Sequence, residues 1–197
     1  MYPTKTNRST MRRLTANTLQ SLPDAELMLR VGRGEHAAFD TLYNRYARRL
    51  GGFFLRMLSY DSAKAEDMLQ ELFTSVWTHR KDYRSAQSFT TWLYAMAYNL
   101  CKNDYRHTMV HQAYEAECKT REEATDEATQ QMERDELRQR LRRAVQALPE
   151  AQRDAFLLHY DEEFTVAEVA HITGCPEGTV KSRIYTALAS VRKIMNG

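Results

Sequence analysis

Between residues 35 and 58 apolar side chains return every three or four positions: Phe39, Leu42, Tyr43, Tyr46, Leu50, Phe53, Phe54, Met57 and Leu58. Only an α-helix gathers residues so spaced onto one side, because a strand would send alternate ones to opposite faces. The same spacing runs through most of the chain, and 7 Gly and 4 Pro in 197 residues leave few breaks. The expectation is an all-α protein with little room for strands. Within this stretch Gly51 and Gly52 each weaken the helix by about 1 kcal/mol relative to Ala, which predicts a bend or a close helix contact there.

Charge divides the chain where periodicity does. Residues 1–110 carry 16 Lys and Arg against 10 Asp and Glu, a net of +6. Residues 111–136 carry 3 against 9, and residues 137–197 carry 9 against 7. A basic part, an acidic connector and a mildly basic part suit two segments that meet a polyanion, joined by one that repels it. The expected organisation is a disordered basic tail at 1–22, a helical domain at 23–110, an acidic linker at 111–136 and a second small helical domain at 137–197. No run of about 18 apolar residues is present and the first residues lack the apolar stretch of a secretory signal, which predicts a cytoplasmic protein without membrane insertion. Cys101, Cys118 and Cys175 are odd in number and far apart, against a disulfide framework. His107, His111 and Cys118 match no common zinc spacing, so neither metal nor cofactor is expected.

In the first domain a helix is predicted to open at Pro23 and Asp24, with Asp24 as cap and Leu27, Met28 and Val31 facing inward. A later helix, capped by Asp61 or Ser62, carries Met68, Leu69, Leu72, Phe73 and Val76 on its core side. Asp67, Gln70 and Thr74, three and four residues apart, form a polar stripe on the other side with Glu71 at its edge.

Residues 89–106, FTTWLYAMAYNLCKNDYR, ask for two kinds of partner. Phe89, Trp92, Leu93, Met96, Ala97 and Leu100 fall on one apolar side, while Tyr94, Tyr98 and Tyr105 gather on the other with Lys102 and Arg106, and Asn99 at the margin. Aromatic rings beside cations suit unpaired nucleobases and their phosphates; tyrosines covering a half-buried helix are the plainer alternative.

In the second domain Leu137, Leu141, Val145 and Leu148 predict a helix ended by Pro149, and residues 150–160 a second one buried through Ala155, Phe156, Leu158 and Tyr160. Thr165 and Glu168 form a capping box, Gly174 suits a turn at positive φ, and Pro176 suits the first turn of a new helix. Helix, short turn, helix is the helix-turn-helix arrangement, whose second helix enters the major groove. On that helix Val180, Ile184, Ala187, Leu188, Val191 and Met195 lie inside, leaving Thr179, Lys181, Ser182, Arg183 and Thr186 outward.

These residues also carry a resemblance. Ala65-Glu66-Asp67, Gln70-Glu71 and Phe73, followed by Phe89, Trp92-Leu93, Ala97, Asn99 and Arg106, resemble the second region of bacterial sigma factors of the extracytoplasmic-function (ECF) group. LPEAQRDAF and the later GTVKSR resemble the fourth region. The resemblance implies a sigma-70-type subunit that binds core RNA polymerase and promoter DNA, and implies an anti-sigma factor as a further partner, with no small-molecule substrate. It implies that Asp67, Gln70, Glu71 and Thr74 meet the polymerase clamp. It implies that Lys81, Tyr94, Tyr98, Asn99, Lys102, Asn103, Tyr105 and Arg106 hold the opened minus-10 strand, together with the loop at 81–88. Glu177, Thr179, Lys181, Ser182, Arg183 and Thr186 would read the minus-35 duplex while this domain contacts the polymerase flap, and the acidic connector would thread the polymerase cleft. Asn103 stands where many relatives carry Asp, and Thr186 where Arg is frequent.

Residues 137–197 alone fit equally well a stand-alone helix-turn-helix regulator with an N-terminal sensing or dimerisation domain. That alternative leaves the tyrosine face and the Asp67 stripe without a role. No phosphate-cradling glycine loop or nucleophile–base pair marks an enzyme.

Overall fold

The computed structural model describes residues 19–84, 88–112 and 129–196; the side chains of 106–112 and 129–135 lie outside the description. Among these residues every regular element is helical: α1 (Asp24–Gly32), α2 (His36–Met57), α3 (Ser62–Thr78), α4 (Phe89–Gln112), α5 (Thr129–Gln146), α6 (Glu150–Phe156) with a π-helical turn (Leu157–Asp161), α7 (Val166–Thr173) and α8 (Glu177–Asn196). They separate into two compact units. One comprises the described residues up to Leu55 together with Tyr60–Ala97, the other Arg56–Ser59 together with Tyr98 onward. Residues 1–18 of the expected tail and 113–128 of the expected linker lie outside the described residues, whereas α5 already begins at Thr129.

Much of the predicted core of the first unit is buried, with Leu27, Met28, Val31, Leu50, Phe53, Phe54, Leu72 and Leu93 fully so and Ala38 added to them. Each large side chain so buried contributes about 1.5–3 kcal/mol of transfer free energy. Tyr43, expected inward, is instead 40% exposed, and Met68 and Leu69 are half-buried. Asp24 does not cap α1: Pro23 occupies the cap position without a side-chain bond. The Asp24 carboxylate instead accepts from Arg45 and from the Tyr46 hydroxyl, and Arg45 also donates to the Gln20 carbonyl. Tyr46 lies 3.3 Å from the Thr90 hydroxyl, so a single α2 tyrosine ties α1 and α4 to it. Burial, reinforced by Asp24, pushes the Tyr46 phenol up to about 12.

Of the two expectations at the paired glycines, a close helix contact does not occur at Gly51. α2 runs unbroken from His36 to Met57, and a Cβ placed on Gly51 would meet nothing within 4 Å. Asp61 caps α3 by accepting from the Lys64 amide at 3.1 Å. His36 stacks on Trp77 at 4.5 Å, and Phe39 packs edge-on against Phe73 and Trp77 at 6.0 and 5.3 Å, closing α2 on α3.

In the second unit α5 buries Ala144 and Val145, and Leu148 is buried in the turn after it, but Leu137 and Leu141 are 56% and 42% exposed, against the predicted inward row. Residues 136–143 of this helix are all exposed and burial among its described side chains starts at Ala144, so periodicity there outruns the packing. Tyr160 is a second correction, 44% exposed. The helix widens after Phe156, with the Glu162 amide bonding to the Leu157 carbonyl at 3.1 Å. That extra residue per turn points both Leu157 and Leu158 inward and swings Tyr160 out, its ring resting on Phe156 at 4.9 Å.

The helix-turn-helix forms as its punctuation dictates. The Glu168 amide donates to Thr165 Oγ1 at 3.3 Å and the Thr165 amide to Glu168 Oε2 at 2.9 Å, completing the capping box. Gly174 ends α7 at φ +66°, a left-handed conformation that a side chain would strain. Val169, Ile172, Val180, Ile184, Ala187 and Val191 are buried, packing α7 and α8 into one body.

Candidate nucleic-acid interface

Four polar side chains of α3 stand in solvent together. Asp67, Gln70, Glu71 and Thr74 are all exposed, while Ala65, Leu72, Phe73 and Val76 hold the helix to the core. Thr74 spends its hydroxyl on the Gln70 carbonyl at 2.8 Å, which leaves its methyl outward. The two carboxylates and the amide are therefore the hydrogen-bonding groups this stripe presents.

On α4 the buried face is turned about a quarter-turn from the expected one. Phe89, Thr91, Leu93, Tyr94, Ala97, Tyr98 and Cys101 are buried, whereas Trp92, Met96 and Leu100 are only half-buried. Tyr94 is a core residue with no exposed surface, packed edge-on against Phe53 at 5.3 Å, with the Arg49 guanidinium 5.8 Å from its ring. Tyr98 is 7% exposed and donates its hydroxyl to Asp154 Oδ2 at 3.2 Å. A tyrosine buries readily once its hydroxyl has a partner, and spacing alone does not reveal that partner. Of the expected tyrosine face, Tyr105 alone is open, at 40% exposure.

Asn99 and Asn103 are exposed on α4, as Tyr105 is, and Lys81 is exposed in the loop before α4. Lys102 is half-buried: its ammonium pairs with Glu150, lies 3.8 Å from Asp154 Oδ2, and sits 5.9 and 5.6 Å from the rings of Tyr98 and Tyr105. Arg106 belongs to α4, but its side chain lies outside the described residues, as do residues 85–87 of the loop. Tyr83 of that loop is buried, edge-on to Phe89 and Trp92 at 5.9 and 5.4 Å, and so anchors the loop to the start of α4.

Asp154 is a strongly perturbed acid near this face. It is 1% exposed, its Oδ1 has no hydrogen-bond partner, and burial pushes its carboxyl up to about 6 despite Lys102. Burial likewise pushes the Cys101 thiol up to about 12, which leaves it a packing residue at neutral pH. Cys101 and Cys175 are free thiols, and no cluster of potential metal ligands occurs among the described residues; His107, His111 and Cys118 fall outside the described side chains.

The first half of α8 presents the expected set. Glu177, Thr179, Lys181, Ser182 and Thr186 are exposed, and the 3.8 Å Lys181–Glu177 pair is a surface contact worth little. Arg183 departs from the expectation of a free cation. It is half-buried and donates to Cys175 Sγ at 3.1 Å, bracing the turn between the two helices. Tyr185, which the sequence reading passed over, is 77% exposed, the most open of the large hydrophobic residues described. Its position three residues after Ser182 and four after Lys181 was the available signal.

Comparison with known proteins gives this arrangement a family. Residues 42–109 match Sigma-70 region 2, and residues 138–191 match Sigma-70, region 4. The RNA polymerase sigma-H factor of Pseudomonas aeruginosa is 32% identical over 184 residues, covering 87% of this chain and 93% of the relative. The ECF RNA polymerase sigma-E factor of Escherichia coli K12 is 32% identical over 185 residues, covering 87% and 94%. Among solved structures, CnrH in complex with the cytosolic domain of CnrY has the same fold at a TM-score of 0.65 and 19% identity, covering 88% of this chain and 97% of that one. The sigma factor RpoE of Bartonella quintana, solved with the anti-sigma factor NepR, follows at 0.60 and 20%, covering 80% and 96%. With both sigma regions present in order and relatives aligned over nearly their full length, the chain belongs to the extracytoplasmic-function group of sigma-70-type sigma factors, which direct RNA polymerase to promoters.

Proposed function

We propose that three exposed polar surfaces divide the work of initiation. The α3 stripe of Asp67, Gln70, Glu71 and Thr74 docks on the clamp of core polymerase. The outer face of α4, with Lys81, Asn99, Lys102, Asn103, Tyr105 and Arg106, holds the opened minus-10 strand, stacking a base on Tyr105 and placing phosphates at the cations. Tyr94 and Tyr98 act from beneath, fixing α4 to the core. Glu177, Thr179, Lys181, Ser182 and Thr186 read the minus-35 duplex, joined by Tyr185, while Arg183 holds the turn in shape. These assignments follow a division into a minus-10 domain at 23–110, a linker at 111–136 and a minus-35 domain at 137–197.

The observation that carries this reading is the outward polar half of α8 above a completed capping box and glycine turn, in a chain that also presents the carboxylate stripe on α3. A protein that only bound an operator would have no use for that stripe. An anti-sigma factor is the third partner proposed, by analogy with the complex of the Bartonella quintana relative, and the cytoplasm is where the chain would meet all three.

Run-off transcription with core polymerase over a promoter library tests the reading. The expected result is promoter-specific initiation that core alone does not give, with weak promoter binding by the free chain. Tight operator binding without polymerase and no gain in transcripts would replace it with a stand-alone regulator.

A further inference from the structure

Two rows of side chains run side by side along the outer first half of α8. Lys181 and Tyr185 make one, Ser182 and Thr186 the other, each pair four residues apart and the rows separated by about 100° round the helix. All four residues are exposed, but their chemistry is unequal. The Thr186 hydroxyl donates to the Ser182 carbonyl at 2.9 Å, so its one proton is spent inside the helix. What Thr186 can show a partner is a methyl group and an oxygen that only accepts. Tyr185, one position before it and 77% exposed, brings a second apolar surface to the same half of the helix. The neighbouring arginine is withdrawn: Arg183 is half-buried and donates to Cys175 Sγ at 3.1 Å. Lys181 is left as the exposed cation of this half.

A duplex read from this face meets those groups in its major groove. Guanine presents the acceptors N7 and O6 there and calls for a donor, whereas thymine presents a methyl group against which a threonine methyl packs. A threonine whose proton is committed has no donor for guanine. Guanine opposite it would lose water from its acceptors and gain no hydrogen bond in return.

We infer that Thr186 is a specificity-determining residue that reads a thymine methyl in the minus-35 duplex and selects against guanine in the same base pair. The inference rests on the assignment of α8 to that duplex, and adds to it the base that one residue chooses. The hydroxyl bond to Ser182 is what makes the choice, because it turns a side chain able to donate or accept into one that offers a methyl and an acceptor.

The test uses the full-length chain reconstituted with core polymerase, and promoter duplexes randomised across the minus-35 element. The enriched sequence is remade with each thymine of either strand, one at a time, replaced by deoxyuridine, which lacks only the methyl. The expected result is one thymine whose methyl is worth about fourfold in affinity, as for one methyl group withdrawn from water. Thr186→Ser keeps the hydroxyl without the methyl, and should bind the thymine and deoxyuridine duplexes equally at that position while keeping the parent's response at every other. Thr186→Val keeps the methyl without the hydroxyl, and should retain the parent's response. Thr186→Arg, with a fork of donors, should enrich guanine in that pair. A residue that only supported the helix would weaken all duplexes alike.

The inference is overturned if no thymine methyl matters to the parent, if the deoxyuridine loss persists in Thr186→Ser or disappears in Thr186→Val, or if Thr186→Arg enriches the parent's sequence. Lys181→Ala then separates the two readings. A minus-35 sequence that the parent enriches and Lys181→Ala binds more weakly keeps α8 on the duplex and removes only the thymine contact. No enrichment across the minus-35 positions removes the assignment of α8 as well.

Discussion

The Tyr98 hydroxyl donates to Asp154 Oδ2 at 3.2 Å, while the other oxygen of that aspartate, Oδ1, is buried without a hydrogen-bond partner among the described residues. Removing the bond leaves a carboxylate that has lost both water and this donor. Tyr98→Phe should therefore cost about 1–3 kcal/mol, measured by urea unfolding. It should also raise the Asp154 pKa further, because this bond is one of the influences that lower it.

The same aspartate gives a pH dependence whose sign can be worked out. Its carboxyl is pushed from 3.8 to about 6 in the folded chain, chiefly by burial, against the pull of Lys102 and Arg153 and with the push of Glu150. A raised folded pKa means that the folded state binds the proton more tightly than the unfolded one. The stabilisation is complete below about 4 and is lost as pH rises through 6. Asp154→Asn removes the titration, so its stability relative to the parent should improve between pH 4 and pH 7 by up to about 3 kcal/mol. A constant difference across that range in parallel urea titrations would contradict this.

Gly51 lies in mid-helix with open space where a Cβ would go. Gly51→Ala should stabilise the chain by up to about 1 kcal/mol through backbone entropy alone, visible as a higher thermal midpoint with promoter-directed transcription unchanged.

Thr165 carries one half of the capping box that opens the helix-turn-helix. Thr165→Ala should cost about 1 kcal/mol, and Thr165→Ser should restore most of it. Minus-35 affinity should fall only as far as the folded fraction does, since Thr165 is assigned no contact with DNA.

Two surface predictions separate the partners. Replacing Asp67 and Glu71 by Ala should leave the thermal midpoint nearly unchanged, because both are exposed on α3, and should abolish co-purification with core polymerase. Tyr185→Ala, at an equally exposed position on α8, should leave polymerase binding intact and weaken minus-35 recognition by about 1–3 kcal/mol in competition gel shifts.

What the amino-acid order determined by itself is what depends on neighbours along the chain. The helical class, the Asp61 cap, the Thr165–Glu168 box, the Gly174 turn and the inward row of α8 are all set within four residues, where backbone geometry leaves few choices. The outward placing of Asp67, Gln70, Glu71 and Thr74 followed from the same periodicity.

What only the tertiary structure decided are partnerships between residues far apart in the chain. Tyr94 is core because Phe53 lies across from it, and Tyr98 is buried because Asp154, 56 positions later, accepts a hydrogen bond from its hydroxyl. Asp24 answers Arg45 and Tyr46 rather than its own helix. Tyr160 left the predicted face because one π-helical turn shifted the register that a 3.6-residue period assumes. A helical repeat fixes which residues share a side. It does not say which other element covers that side, and for Lys102, placed between tyrosine rings and the carboxylates of α6, that was the question that mattered.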